Sequence, residues 1–160
     1  MYLGIDPATK KTGYCLMDNN KNIIIQGAID LSNISDHGEK LQAQYEFAEN
    51  LFDTYNIKAV LIEDQYYSNN PDTLKVLART SAIFLLSAKL RGIPASLIYP
   101  TSWRKVFHGN GKASKKDTFN KVISLYNLNE FKFTKDNDIT DAIGIAAAAV
   151  DIHKKMETAV

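Results

Sequence analysis

YLGIDPATKKTGYCLMDNNKNIIIQGAID, residues 2–30, is the stretch that decides the fold. It holds three apolar runs of strand length, YLGID (2–6), TGYCLMD (12–18) and IIIQGAID (23–30). A Lys-Lys-Thr-Gly turn joins the first two, and the turn-forming series Asp18-Asn19-Asn20-Lys21-Asn22 joins the second and third. Links this short leave no room for a crossover, so the three strands are expected to form an antiparallel meander.

Beyond residue 30 the pattern changes from period two to helical spacing. Leu41, Tyr45, Ala48, Leu51 and Phe52 mark an amphipathic helix from about Gly38 to Tyr55, and AVLIED (59–64) reads as a buried central strand. Asn70-Pro71-Asp72 opens a second helix that closes at Arg91-Gly92. Its middle, AIFLLSAKL, is apolar on more than one side, which requires cover from two directions and hints at a second copy of the chain. IPASLIYP (93–100) gives a fifth strand, GNGK (109–112) a loop, KKDTFNKVISLY (115–126) a helix, and Asp138 begins the last helix. The order β-β-β-α-β-α-β-α-α predicts an α/β fold, a mixed sheet with helices on both faces.

A chain of 160 residues without repeats or linkers is expected to be one domain, residues 1–160, with a core that needs no disulfide or structural metal. The lone Cys15 fits a reducing, intracellular setting, and no apolar run reaches membrane-spanning length. The net charge is +1, yet Thr101 to Lys121 carries six basic residues against Asp117, a local +5 that leaves −4 for the rest. A basic segment on a slightly acidic body points to a localised polyanion contact.

Four acids can meet in such a fold. Asp6 ends the first strand and Glu63 lies near the end of the fourth, so parallel neighbours would release both carboxylates at one sheet edge. Asp138 and Asp141 lie one helical turn apart, on a helix whose Ala146, Ala147 and Ala148 permit close approach to the sheet. Asp64 alternates to the opposite face, and Asp136 suits a helix cap. Converging carboxylates repel one another unless cations neutralise them, and oxygen ligands without Cys or His favour Mg²⁺ or Mn²⁺. Two such ions, about 3.5–4 Å apart, serve phosphodiester hydrolysis.

These residues resemble the RuvC Holliday-junction resolvases of the ribonuclease H-like superfamily. The similarity runs through LGIDPATKKTGY (3–14), LIEDQYY (61–67), GNGKASKKD (109–117) and DNDITDAIGIAAA (136–148). The resemblance implies a five-stranded sheet of order 3-2-1-4-5, a homodimer, and Mg²⁺-dependent paired nicking of a four-way DNA junction, with 5′-phosphate and 3′-hydroxyl ends. It implies Asp6, Glu63, Asp138 and Asp141 as catalytic metal ligands for two ions. It also implies Lys115 as a catalytic cation on the scissile phosphate and Tyr66 as a base-stacking aromatic, with Tyr67 second.

Arg104 stands where the family usually has lysine and Ala8 where it commonly has glycine. Lys112 and Lys116 are expected on the DNA backbone. His108 reads as an ordinary loop histidine, and Trp103 as packing beneath the basic segment. The expected location is the cytoplasm, that of a bacterial host if the chain is phage-encoded, as its short form and Asn, Lys and Ile richness suggest.

Two alternatives stand beside this reading. One is a ribosomal-RNA-processing nuclease of the same superfamily, and the other is an inactive junction-binding scaffold. Actin-like ATPases and sugar kinases share an acid-ended first strand but need two such domains.

Overall fold

The computed structural model of the chain describes residues 1–64 and 70–159. Strands β1 (Tyr2–Asp6), β2 (Lys11–Met17) and β3 (Ile23–Asp30) form the expected meander. There follow α1 (His37–Thr54), β4 (Ala59–Glu63), α2 (Pro71–Leu90), β5 (Ala95–Ile98), α3 (Pro100–His108), α4 (Lys115–Tyr126) and α5 (Phe133–Thr158). The strands lie in the order 3-2-1-4-5. β1 pairs antiparallel with β2 and parallel with β4, and β4 pairs parallel with β5.

Alternation divides the core in two. Tyr2, Cys15, Met17 and Leu61 face α5, while Leu3, Ile5, Leu16, Val60 and Ile62 face α1 and α2. Asp6 and Glu63 belong by parity to the α5 side. Two glycines on that side let α5 lie against the strands. A Cβ on Gly4 would run into the backbone N of Ala146 and stand 2.5 Å from the Ala142 carbonyl oxygen. One on Gly13 would collide with the Asp138 carbonyl oxygen and stand 2.6 Å from its carbon. Glycine inside a strand marks this kind of close backbone approach.

Three features differ from the sequence expectations. α3 is an additional helix, entered by Pro100 at its first position and stopped by Gly109 at φ 78°. Its Trp103, Val106 and Phe107 fall at i, i+3 and i+4 and pack toward the core under α5, a helical spacing that the expected elements left out. α5 begins at Phe133, five residues before Asp138. The Asp136 carboxylate reaches back to accept from the Lys132 N–H at 2.7 Å, and Phe133 packs edge-on against Phe119 with ring centroids 5.5 Å apart. The cap is Lys132, and Asp136, expected as a cap, instead lies within the first turn and accepts from the cap's N–H; Asp138 and Asp141 sit deeper inside the helix. Finally, β4 stops at Glu63, and Asp64 follows it with its N–H donating to the Ile98 carbonyl at 2.8 Å.

Ala8 needs no glycine in its place. Among the described residues the non-glycine positions with positive φ are Lys21 and Asn127, so the turn after β1 asks for no left-handed conformation at Ala8.

Candidate active site

The parallel register pairs Ile5 with Ile62, and its next step sets Asp6 beside Glu63 at the carboxyl ends of β1 and β4. Because α5 starts early and lies close to the strands, its second and third turns deliver Asp138 and Asp141 over that edge. Asp6, Glu63 and Asp141 are 2%, 1% and 0% exposed, whereas the Asp138 side chain is open to 26%. The first residue of α4, held in register by the reciprocal Ser114–Asp117 capping box, completes the cluster. This is Lys115, whose ammonium stands 3.2 Å from Asp141 Oδ2, 3.3 Å from Asp138 Oδ1 and 3.6 Å from Asp6 Oδ2.

Charge in this site is under-compensated. Burial, followed by Glu63, raises the Asp6 carboxyl well above the usual carboxylate range, with Asp141 and Asp138 adding to the rise against Lys115. Burial likewise raises Glu63 and Asp141. Burial alone would lower Lys115, but Asp6, Asp141, Asp138 and Glu63 overcome it and raise its ammonium above the ordinary lysine value. Asp6 Oδ2 and both oxygens of Asp141 are buried without an aligned hydrogen-bond donor.

This donor set fits a hard divalent cation, which ionises converging carboxylates and takes oxygen ligands. Among the described residues no three Asp, Glu, His or Cys side chains stand at the spacing of a closed ion cage. The oxygens converge instead on Lys115, whose longer contacts suit an ammonium.

α3, absent from the expected elements, supplies two residues to the same site. Trp103, fully buried, donates its Nε1–H to Glu63 Oε2 at 2.6 Å, so it does more than pack beneath the basic segment. Gly144 of α5 makes room for the indole, since a Cβ there would lie 2.8 Å from Trp103 Cζ3. Arg104 lays its guanidinium 4.9 Å from the Trp103 ring centre and 3.5 Å from Asp141 Oδ2, with only 14% of its side chain exposed. A sole tryptophan next to an arginine in a basic segment was the available signal. Its partner lies 40 residues earlier, and local pattern cannot name such a partner.

The other expected residues that the structure describes lie on α3, on α4 and on the loop between them. Lys112 is exposed on the loop before α4. Lys116 rests its ammonium 4.6 Å from the Phe133 ring centre and 5.3 Å from that of Phe119. His108, at the end of α3, pairs its Nε2 with Thr118 Oγ1 at 3.0 Å. Tyr66 and Tyr67 lie outside the described residues.

Known proteins resemble this chain in both sequence and architecture. The family model described as crossover junction endodeoxyribonuclease RuvC matches residues 2–149. A curated protein of that name from Christiangramia forsetii is 30% identical over 159 residues, 98% of this chain and 81% of its own length. The one from Salinibacter ruber is 29% identical over 147 residues, 90% of this chain and 81% of its own length.

Among solved structures, that of T. thermophilus RuvC in complex with a Holliday junction substrate superposes with a TM-score of 0.79 at 17% identity, covering 96% of this chain and 94% of that one. The yeast mitochondrial Holliday junction resolvase Ydc2 superposes with a TM-score of 0.69 at 19% identity, covering 98% and 80%. The fold is thus that of the RuvC nucleases, as the resemblance implied. With a family model matched over nearly its whole length, the chain belongs to the crossover junction endodeoxyribonuclease RuvC family.

Proposed function

We propose that the chain, acting as one unit over residues 1–160, is a structure-selective endodeoxyribonuclease that resolves four-way DNA junctions by paired phosphodiester hydrolysis, leaving 5′-phosphate and 3′-hydroxyl ends. One observation carries this reading: in a RuvC-family chain, acids from β1 and α5 point oxygens at a single cationic centre, with the β4 acid beside them. Asp6, Glu63, Asp138 and Asp141 would hold two Mg²⁺ ions, for which Mn²⁺ can substitute. When bound, such ions activate a water and stabilise the leaving oxygen.

The chain's own groups do the rest. The Lys115 side chain is 43% exposed, so its head can swing outward when a divalent ion repels it, and its natural destination is the scissile phosphate. Arg104 is turned into the acidic centre and can reach a phosphate only at the cleavage point, whereas Lys112 and Lys116 lie where the flanking backbone would pass. Tyr66, just after Glu63, would stack on a base at the crossover.

Leu86 and Leu90 of α2 are 56% and 73% exposed on the helix face away from the sheet, and a second copy of the chain would cover them in a homodimer. Among the described residues no helix is long and apolar enough to cross a membrane. Intracellular DNA is the substrate this reading requires, which places the protein in the cytoplasm.

The test is cleavage of synthetic four-way, three-way and linear DNA, and of structured RNA, by wild type and Asp6→Asn with Mg²⁺. Symmetrical nicks in the four-way junction by wild type alone are expected. Preferential cleavage of RNA would favour the ribosomal-RNA-processing alternative, and tight junction binding without cuts in Mg²⁺ or Mn²⁺ would favour the scaffold.

A further inference from the structure

We propose that Trp103 is a positioning residue that fixes the Glu63 carboxylate for cation binding, and that its indole is a built-in reporter of that event. The inference rests on the site reading given above and adds to it a residue that holds one of the acids. A buried indole needs an acceptor for its N–H and can do nothing but donate. Here the acceptor is an acid of the site, reached across 40 residues at 2.6 Å.

The ring cannot follow a shifting carboxylate. It is fully buried, the space left by Gly144 receives one edge, and the Arg104 guanidinium lies 4.9 Å from its centre. The glutamate, by contrast, carries its carboxylate at the end of a rotatable chain. A donor fixed at Oε2 therefore sets the rotation of the carboxylate and removes an ordering cost that a cation would otherwise have to meet. The same helix serves a second acid, because Arg104, the next residue, reaches Asp141. α3 thus ties an acid of β4 to an acid of α5.

A merely structural tryptophan would influence stability but not cation affinity, and the experiment separates the two. Trp103→Phe keeps an aromatic ring and removes the donor. Its half-saturating Mg²⁺ for junction cleavage should rise about 10–100-fold, the usual effect of losing a group that orients a metal ligand. Cleavage should recover at high Mg²⁺, and junction affinity without divalent ions should stay unchanged.

Trp103 is the chain's only tryptophan, so its emission isolates this position. Titrating the DNA-free wild type with Mg²⁺ should change that emission over the range that supports cleavage, and Glu63→Gln should abolish the change. An unaltered Mg²⁺ requirement in Trp103→Phe overturns the proposal, and so does an indole blind to Mg²⁺ in a wild type that cleaves. Should Trp103→Phe not fold, the wild-type titration decides alone. Emission that follows Mg²⁺ through Glu63 in a protein that leaves junctions intact would support the role of Trp103 while refuting the proposed function.

Discussion

Gly4→Ala tests whether the site depends on how closely α5 lies on the sheet. The added methyl would stand 2.5 Å from the Ala142 carbonyl oxygen and closer still to Ala146 N, whereas ordinary contact begins near 3.4 Å. Both obstacles are backbone, so no side chain can rotate away, and α5 must retreat by about 1 Å or β1 must bend. Overpacking of this kind costs about 1–3 kcal/mol of stability. The retreat also carries Asp138 and Asp141 away from Asp6 and Glu63, and a misplacement of about 1 Å at reacting groups costs about 10²-fold in rate.

The assay is single-turnover junction cleavage across a Mg²⁺ series, with thermal unfolding of the same samples. Gly92→Ala provides the control: it forces alanine to φ 70° at the end of α2, with nothing within 4 Å of the new methyl, so it should lose stability and keep its rate. Wild-type cleavage by Gly4→Ala, or an equal loss in both variants, would refute the close-approach argument.

Asp6→Asn, Glu63→Gln, Asp138→Asn and Asp141→Asn should each abolish cleavage and retain junction binding in gel shifts; full activity in any one removes that residue from the site. Burial and mutual repulsion raise Asp6, Glu63 and Asp141, so the fold holds their protons more tightly than the unfolded chain does. Without divalent ions, denaturant midpoints should therefore fall as pH rises from about 4 through the raised folded values, and Mg²⁺ or Asp6→Asn should flatten that slope. Lys115→Ala should reduce cleavage more than binding; a loss confined to binding, with a shallower salt dependence, would make Lys115 a backbone contact. Leu86→Lys should turn a dimer into a monomer in sedimentation, and a monomeric wild type would remove α2 as the interface.

What was legible in the sequence is whatever local pattern determines. The meander shows in its apolar runs, and β4 shows as a buried run; together they place Asp6 and Glu63 at strand ends. The Asp138–Asp141 spacing shares a helix face wherever the helix begins. The start of α5 was hidden because Lys132, Lys135, Asp136 and Asn137 read as loop, whereas the Phe133–Phe119 contact and the bond from the Lys132 N–H to Asp136 hold that turn helical. α3 was legible but missed: Trp103, Val106 and Phe107 stand at i, i+3 and i+4 after Pro100, yet the basic residues between them draw the eye to charge rather than to helical spacing. Close approach was expected from Ala146, Ala147 and Ala148; only the folded chain shows that Gly4 and Gly13 of the sheet receive α5. The tyrosines after Glu63 stay a sequence expectation.

The small residues and the charged ones answer one physical requirement. Four acids can share a cation only if the elements carrying them converge, and convergence needs backbones to touch, which is why glycine stands at Gly4 and Gly13 and alanine at Ala142 and Ala146. The same convergence buries the carboxylates and makes them costly to ionise. Lys115 and Arg104 offset that cost only in part, as the unaligned oxygens of Asp6 and Asp141 indicate. A site built to relieve this strain completely with its own residues would have little affinity left for a divalent ion. On the proposed reading, this incomplete compensation is what would let a divalent cation bind strongly. It also implies that substitutions adding a fixed positive charge beside Asp141 should stabilise the fold and weaken cation binding together.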